Sequence, residues 1–262
     1  MQQIRAQRKQ PIVETKPSQP HYLQVGLDGG WLASRDQAGG MEGKIGVIAS
    51  EVEAIGKAGR NRLTKRRYVA TFGSAQEVGR LTYAAASELA ATQAKQQVVL
   101  GDGASWIKTQ ANLHFPEAVK ILDWPHLWRK IRDGIRAVQP GPRASRRKWR
   151  KEHYDVLLPL LWTGQLEAAL QHLQGLQSTL QEVPPALADA IRYLHTQRDW
   201  IGNYQQWQEQ GYPVGSGLVE RAVAIVINAR MKRRGMRWKR DNATAVVALR
   251  VQHINVQWDL AA

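Results

Sequence analysis

Between residues 21 and 32 the apolar side chains alternate strictly, at Leu23, Val25 and Leu27, until Asp28-Gly29-Gly30 breaks the run. A period of two predicts a strand that ends at this break. Residues 44–50 and 67–72 predict two more short strands with a Gly-rich, basic loop between them, so the first three strands make an antiparallel meander. From Ser74 to about residue 93 the period lengthens: Val78, Leu81, Ala85 and Leu89 share one helical face, with Ser74 as N-cap and Glu77 three residues on. Next come a strand at 97–100, a helix at 105–114, a strand at 119–122 and a basic helix from about 126 to 138. Strands that alternate with helices favour parallel pairing. Residues 145–210 place Leu, Gln and Trp at helical spacing around Pro184-Pro185 and predict an all-helical insert, with Trp162, Trp200 and Trp207 as packing residues. Helices at about 216–234 and 242–258 complete the chain. The class is α/β, a mixed sheet with flanking helices. Four segments follow: a polar tail (1–20), the first part of a core (21–144), a helical insertion (145–213) and C-terminal helices that complete the core (214–262).

A chain of 262 residues with 43% apolar side chains, and no run of eighteen apolar residues, has the material for an ordinary core and is neither disordered nor membrane-spanning in composition. It has no cysteine, which excludes disulfides, Cys-ligated zinc, iron–sulfur clusters and thiol nucleophiles. The first twenty residues are polar and basic without a signal-like apolar core, so a cytoplasmic location is expected. Charge changes the picture more. Seven acidic and two basic residues between Glu152 and Pro213 give that stretch −5, which leaves +20 on the rest of a chain whose total is +15. The basic residues bunch at 57–67, at 143–151 (Arg146, Arg147 and Lys148 among them) and at 230–240, where Arg230, Lys232, Arg233, Arg234 and Arg237 stand with Trp238. One such cluster is an ordinary solvated face, but three that flank an acidic insert point to a phosphate polyanion.

Three acids have positions that suggest chemistry. Asp28 and Asp102 each leave an apolar strand beside glycines that allow a close approach, at strand ends where ligands bind. As plain structure, Asp28-Gly29 is a hairpin turn and Asp102 a turn or helix cap. Glu220 lies in the first turns of a helix after Ser216, where the helix dipole favours an acid. That helix is apolar almost all round from Leu218 to Ile227, which predicts a buried Glu220 in need of a partner. Three carboxylates drawn together repel unless a hard cation neutralises them, so the set suggests two Mg²⁺ or Mn²⁺ ions and phosphoryl-transfer chemistry. No Walker-type loop, Gly-x-Ser-x-Gly elbow or His-x-x-x-His pair is present, so no nucleotide cofactor is expected.

Three stretches carry a family resemblance: Leu27-Asp28-Gly29-Gly30; Val99-Leu100-Gly101-Asp102-Gly103-Ala104-Ser105-Trp106-Ile107 with His114-Phe115-Pro116 and Ile121-Leu122-Asp123-Trp124-Pro125-His126; and Val214-Gly215-Ser216-Gly217-Leu218-Val219-Glu220. Together they resemble DDE-type insertion-sequence transposases of the bacterial Kra-type group, and more distantly Mutator-like transposases, over roughly residues 21–258. The resemblance implies an RNase H-like fold with Asp28, Asp102 and Glu220 as the catalytic, metal-holding triad. By the same resemblance Asp123 and His126 lie near the active site, where His126 orients DNA or a water; as plain structure, Asp123 caps the helix that starts near His126. The basic residues 230–237 should grip phosphates, with Trp238 placed to stack on an unpaired base.

The expected function is therefore metal-dependent hydrolysis at the ends of an insertion sequence and strand transfer into target DNA. The partners are terminal inverted repeats and target DNA, and two ends brought together imply at least a homodimer. Only 27 residues precede Asp28, fewer than the end-recognising region of related transposases, which suggests an N-terminally truncated copy. Two other readings stay open, a non-catalytic DNA-binding module derived from a transposase and a structure-selective nuclease on the same scaffold.

Overall fold

The computed structural model describes residues 22–50, 52–55, 60–63, 65–89, 94, 96–143 and 145–259; the expected N-terminal tail, and the expected extension of the first helix to residue 93, lie outside them. Alternating apolar side chains build strand β1 (Leu23–Leu32), which pairs antiparallel with β2 (Met41–Ala49). The second strand pairs antiparallel with β5 (Arg66–Thr71), so the expected meander forms. Two further short strands, β3 (Val52–Ile55) and β4 (Arg60–Leu63), make a separate two-stranded sheet within what the sequence predicts as a plain loop. The chain then crosses over through α1 (Ala75–Glu88), capped by Ser74, to β6 (Gln97–Gly101). From there α2 (Ser105–His114) leads to β7 (Val119–Leu122) and α3 (Trp124–Ala137). Both β1–β6 and β6–β7 pair parallel, and the five strands lie in the order β5-β2-β1-β6-β7. A five-stranded mixed sheet flanked by helices, with β1 at its centre, is compatible with the RNase H-like expectation.

Residues 146–209 are helical: α4 (Arg146–Trp162), α5 (Leu166–Ser178), α6 (Pro185–Gln197), a 3₁₀ turn at Arg198–Trp200 and α7 (Tyr204–Glu209). They share one core with α2, α3 and one face of the sheet. At the seam, the Trp124 ring centroid lies 4.8 Å from that of Trp162 and 4.9 Å from that of Tyr204, whose hydroxyl donates to the Leu122 carbonyl at 3.0 Å. Trp200 is fully buried and Trp207 packs edge-on against Tyr204.

The opposite face of the sheet carries α8 (Gly217–Val223), a π-helical turn at Ala224–Asn228, α9 (Ala229–Met231) and α10 (Arg240–Asp259), which bury Val219, Val223, Val226, Ile227 and Val247 against Ile45, Val47 and Phe72. The helix expected to run from 216 to about 234 is thus interrupted by a π turn and ends at Met231. Arg250 of α10 donates to the Ile225 and Val226 carbonyls of this turn at 2.5 and 3.0 Å. No helix among the described residues is long and apolar enough to cross a membrane.

Candidate active site

Asp28 does not end its strand. Pairing with β2 continues through Asp28↔Ile45, Gly29↔Lys44 and Gly30↔Gly43 to Leu32, so the turn reading of Asp28-Gly29 is corrected. The glycines serve packing instead. Gly26, Asp28 and Gly30 face the same side of the sheet by strand alternation. A Cβ on Gly26 would stand 3.0 Å from the Val219 Cβ, and one on Gly30 would stand 3.1 Å from a Val223 methyl. Absent side chains on both flanks let α8 lie directly on β1, which brings the turn bearing Glu220 to the strand bearing Asp28. Asp28 itself is half-buried, and its Oδ1 accepts the Gly29 N–H at 2.7 Å.

Asp102 follows β6, the parallel neighbour of β1, in a loop that turns at Gly103 with φ +88°. Its Oδ1 accepts the Ala104 N–H at 2.9 Å. Helix α6 holds this loop from outside: the Tyr193 hydroxyl donates to the Asp102 carbonyl and the Gln197 amide to the Gly103 carbonyl, both at 2.9 Å. Lys108 reaches back to the Thr196 carbonyl at 2.8 Å. Burial first, then the negative charges of Asp102 and Asp123, push the Tyr193 hydroxyl far above its ordinary value, so it stays a proton donor. Nothing in the periodicity of α6 distinguishes Tyr193 or Gln197 from ordinary packing residues.

Asp123 is fully buried and caps α3 through the His126 N–H at 2.9 Å, as its plain structural role requires. Its other oxygen accepts the Ser216 N–H at 2.6 Å, which fixes the start of α8, and its carboxylate also binds the His126 ring Nδ1. Burial alone would raise the Asp123 carboxyl; the bonds from the His126 ring, the His126 N–H and the Ser216 N–H overcome it and hold the group below its usual range. His126 moves the opposite way, raised chiefly by its bond to Asp123 against the effects of burial and Arg129.

Glu220 is exposed, not buried as its apolar sequence context predicts. Helix α8 buries Val219, Ala222 and Val223, and Glu220 lies off that stripe. Its Oε1 accepts from the Ser216 hydroxyl at 2.7 Å, so Ser216 uses its side chain on the acid rather than as a helix cap.

The three acids and His126 lie within one electrostatic neighbourhood. The Asp28 carboxyl is pushed up from 3.8 to about 6, first by burial, against the Gly29 hydrogen bond, then by Asp102, with His126 opposing and Glu220 adding. Among the described residues none of the three acids forms an ion pair, and each leaves one carboxylate oxygen outside any hydrogen bond. Hard, anionic, partly free oxygens are the donors that Mg²⁺ or Mn²⁺ takes. Among the described residues no three His, Asp or Glu side chains are gathered closely enough to enclose a cation. The donor chemistry fits a divalent ion.

The basic tracts divide by how they are used. Arg147 and Lys148, with Arg136, Arg150, Lys151 and Tyr154, line an open depression of about 600 Å³ where α4 starts, and Arg146 reaches the Gly141 carbonyl at 3.4 Å. In the C-terminal tract Arg230, Lys232, Arg233 and Arg234 are exposed, whereas Arg237 donates twice to the Ser34 carbonyl, at 3.1 and 3.0 Å. Trp238 is not placed as expected. Its indole N–H donates to the Met231 carbonyl at 2.8 Å, its ring packs on the core, and Arg230 sits 6.0 Å from the ring centroid. The basic stretch at 57–67 includes residues outside those described.

A comparison with curated proteins finds no match. The family model described as "Uncharacterised protein family (UPF0236)" matches residues 1–259, and the chain belongs to that family.

Proposed function

We propose that this protein is a DDE-type DNA transposase with an RNase H-like core, and that Asp28, Asp102 and Glu220 are its catalytic triad. The observation that carries the reading is the placement of these acids: one on the central strand, one directly after its parallel neighbour and one on the helix packed on the central strand, with the charges of Asp102 and Glu220 both acting on Asp28. The strand order and the helical segment ahead of α8 support it.

In this reading the three carboxylates hold two Mg²⁺ or Mn²⁺ ions. When bound, these would supply activation of the attacking oxygen and stabilisation of the leaving one in an in-line displacement. Water adds to the phosphorus at an element end as the bridging 3′ oxygen leaves, and that 3′ hydroxyl then displaces a bridging oxygen in target DNA. The bond energy passes from one diester to the next, so no ATP is consumed. Asp123 orders the site from behind by fixing both His126 and the start of α8, and His126 orients DNA or a water there. The tracts around Arg146–Lys148 and Arg230–Arg234 hold terminal inverted repeats and target DNA by phosphate contacts, which makes binding strongly salt-dependent. Two ends held together require at least a homodimer on DNA, and such a protein works in the cytoplasm, at the nucleoid.

The test incubates the purified chain with plasmid and labelled element-end DNA in Mn²⁺, beside Asp102→Asn and Glu220→Gln. Nicking and strand joining, both lost in each variant, are expected. Hydrolysis without joining indicates a structure-selective nuclease, and tight binding without cleavage indicates a binding module.

A further inference from the structure

Trp238, expected to stack on an unpaired base, is half-buried and its indole N–H is spent on the Met231 carbonyl. The same corner of the molecule presents another indole. Trp31, three residues beyond Asp28, is 58% exposed, the most exposed aromatic ring among the described residues. It makes no aromatic pair among the described residues. It sits where β1 has lost a neighbour, because β6 pairs with β1 only as far as Gly26. Trp31 lines an open depression of about 410 Å³ together with Leu32, Gly40, Lys232 and Arg237. Arg35 and Arg237 border a second depression beside it. Lys232 and Arg35 have no ion-pair partner among the described residues.

The frame beneath the ring is fixed. Trp238 donates its backbone N–H to the Ala33 carbonyl at 3.0 Å and accepts from the Arg35 N–H at 2.8 Å. Arg237 clasps the Ser34 carbonyl, and the Ser34 hydroxyl accepts from the Asp36 and Gln37 N–H groups at 3.0 and 3.2 Å. Trp238 and Arg237 are thus structural, and what they hold in place is the segment that displays Trp31. An exposed, rigidly mounted indole costs little conformational entropy when it binds a flat partner. Cations at its rim select a flat partner that carries phosphate.

We propose that Trp31 is a stacking platform for one unpaired DNA base, with Lys232 and Arg35 taking the flanking phosphates. This inference rests on the transposase reading and names a subsite of the same DNA. Trp31 stands three residues beyond Asp28, an odd step, so by strand alternation the two side chains leave opposite faces of β1 and the platform is a subsite apart from the acids. The platform therefore favours DNA that offers an unpaired base over the intact duplex.

The test measures binding of the full chain, in EDTA to prevent cleavage, to dye-labelled single-stranded element-end DNA and to the matched duplex by fluorescence anisotropy. Trp31→Ala should weaken single-strand binding about tenfold and duplex binding much less, with Trp31→Phe close to wild type. A series of oligonucleotides with one abasic site each should then reveal a position whose missing base weakens wild type but not Trp31→Ala. Equal affinity of Trp31→Ala and wild type for the single strand overturns the platform, as does a wild-type affinity indifferent to base removal at every position. In either case, cleavage that still depends on Asp102 leaves the transposase reading standing. A wild-type chain that binds neither DNA removes both.

Discussion

Replacing Asp28 by Asn should make the metal-free protein more stable above pH 6, although Asp28 is proposed to be essential for activity. The Asp28 carboxyl has its value raised from 3.8 to about 6 by burial and by the charges of Asp102 and Glu220. For an acid, a raised folded-state value means that the native protein binds more protons than the unfolded chain between those two values. Stability therefore falls as pH climbs from about 4 to 6 and stays reduced beyond it. The full displacement corresponds to about 3 kcal/mol, and solvent access to the half-buried carboxyl reduces it to about 1–2 kcal/mol. Asparagine keeps an oxygen to accept the Gly29 N–H and removes the charge. The expected outcome in EDTA is a Tm at pH 7.5 higher than wild type by roughly 2–6 °C, shrinking to nothing near pH 4. Millimolar Mn²⁺ should raise the Tm of wild type more than that of the variant, because a ligand that binds only the folded state stabilises it by mass action. Thermal unfolding from pH 4 to 8, with and without Mn²⁺, reads all of this. An Asp28→Asn protein less stable than wild type at pH 7.5, or a difference that does not vary with pH, would refute the electrostatic account of the site.

Gly26→Ala places a methyl 3.0 Å from the Val219 Cβ and 3.1 Å from a Val47 methyl, with β-branched residues on both sides and no flexible group to yield. Urea unfolding should show a loss of about 1–3 kcal/mol, and an unchanged midpoint would mean that α8 does not rest on β1. Tyr193→Phe keeps the ring and removes the hydrogen bond to the Asp102 carbonyl; the nicking rate should fall severalfold while DNA affinity in EDTA holds, and equal rates would separate α6 from the site. Asp123→Asn weakens the hydrogen bond that chiefly raises His126 and removes the charge that adds to it, so the His126 ring should titrate at lower pH by NMR. The stabilising contribution of that pair is complete below 6.5, the ordinary histidine value, and fades as pH rises through the raised one, so the stability gap between wild type and variant should narrow above it.

How much of this was legible in the sequence depends on whether a residue's signal was local. Strand and helix periods locate nearly every element of the sheet and insertion to within a few residues, because burying one face imposes a period of two or 3.6 wherever it occurs. The paired strands β3 and β4 and the π turn carry no such period. Asp28-Gly29-Gly30 reads as a turn because Gly next to Asp is turn chemistry in isolation; only the presence of α8 above β1 makes Gly26 and Gly30 into docking positions for Val219 and Val223. Glu220 was misplaced for the mirror-image reason, since an apolar sequence around it does not fix which side of the helix faces the sheet. Tyr193 stands 91 residues from the carbonyl it binds and was invisible to any window. Asp123 joins both levels. Its capping role and its place in the site looked like competing explanations, yet one carboxylate fills them at once: one oxygen starts α3 and grips His126, the other starts α8 four residues before Glu220. A buried acid whose backbone bonds each fix the beginning of an element is how local capping chemistry sets the placement of the groups proposed to act together, so its ordinary structural role is the means by which it would serve the site.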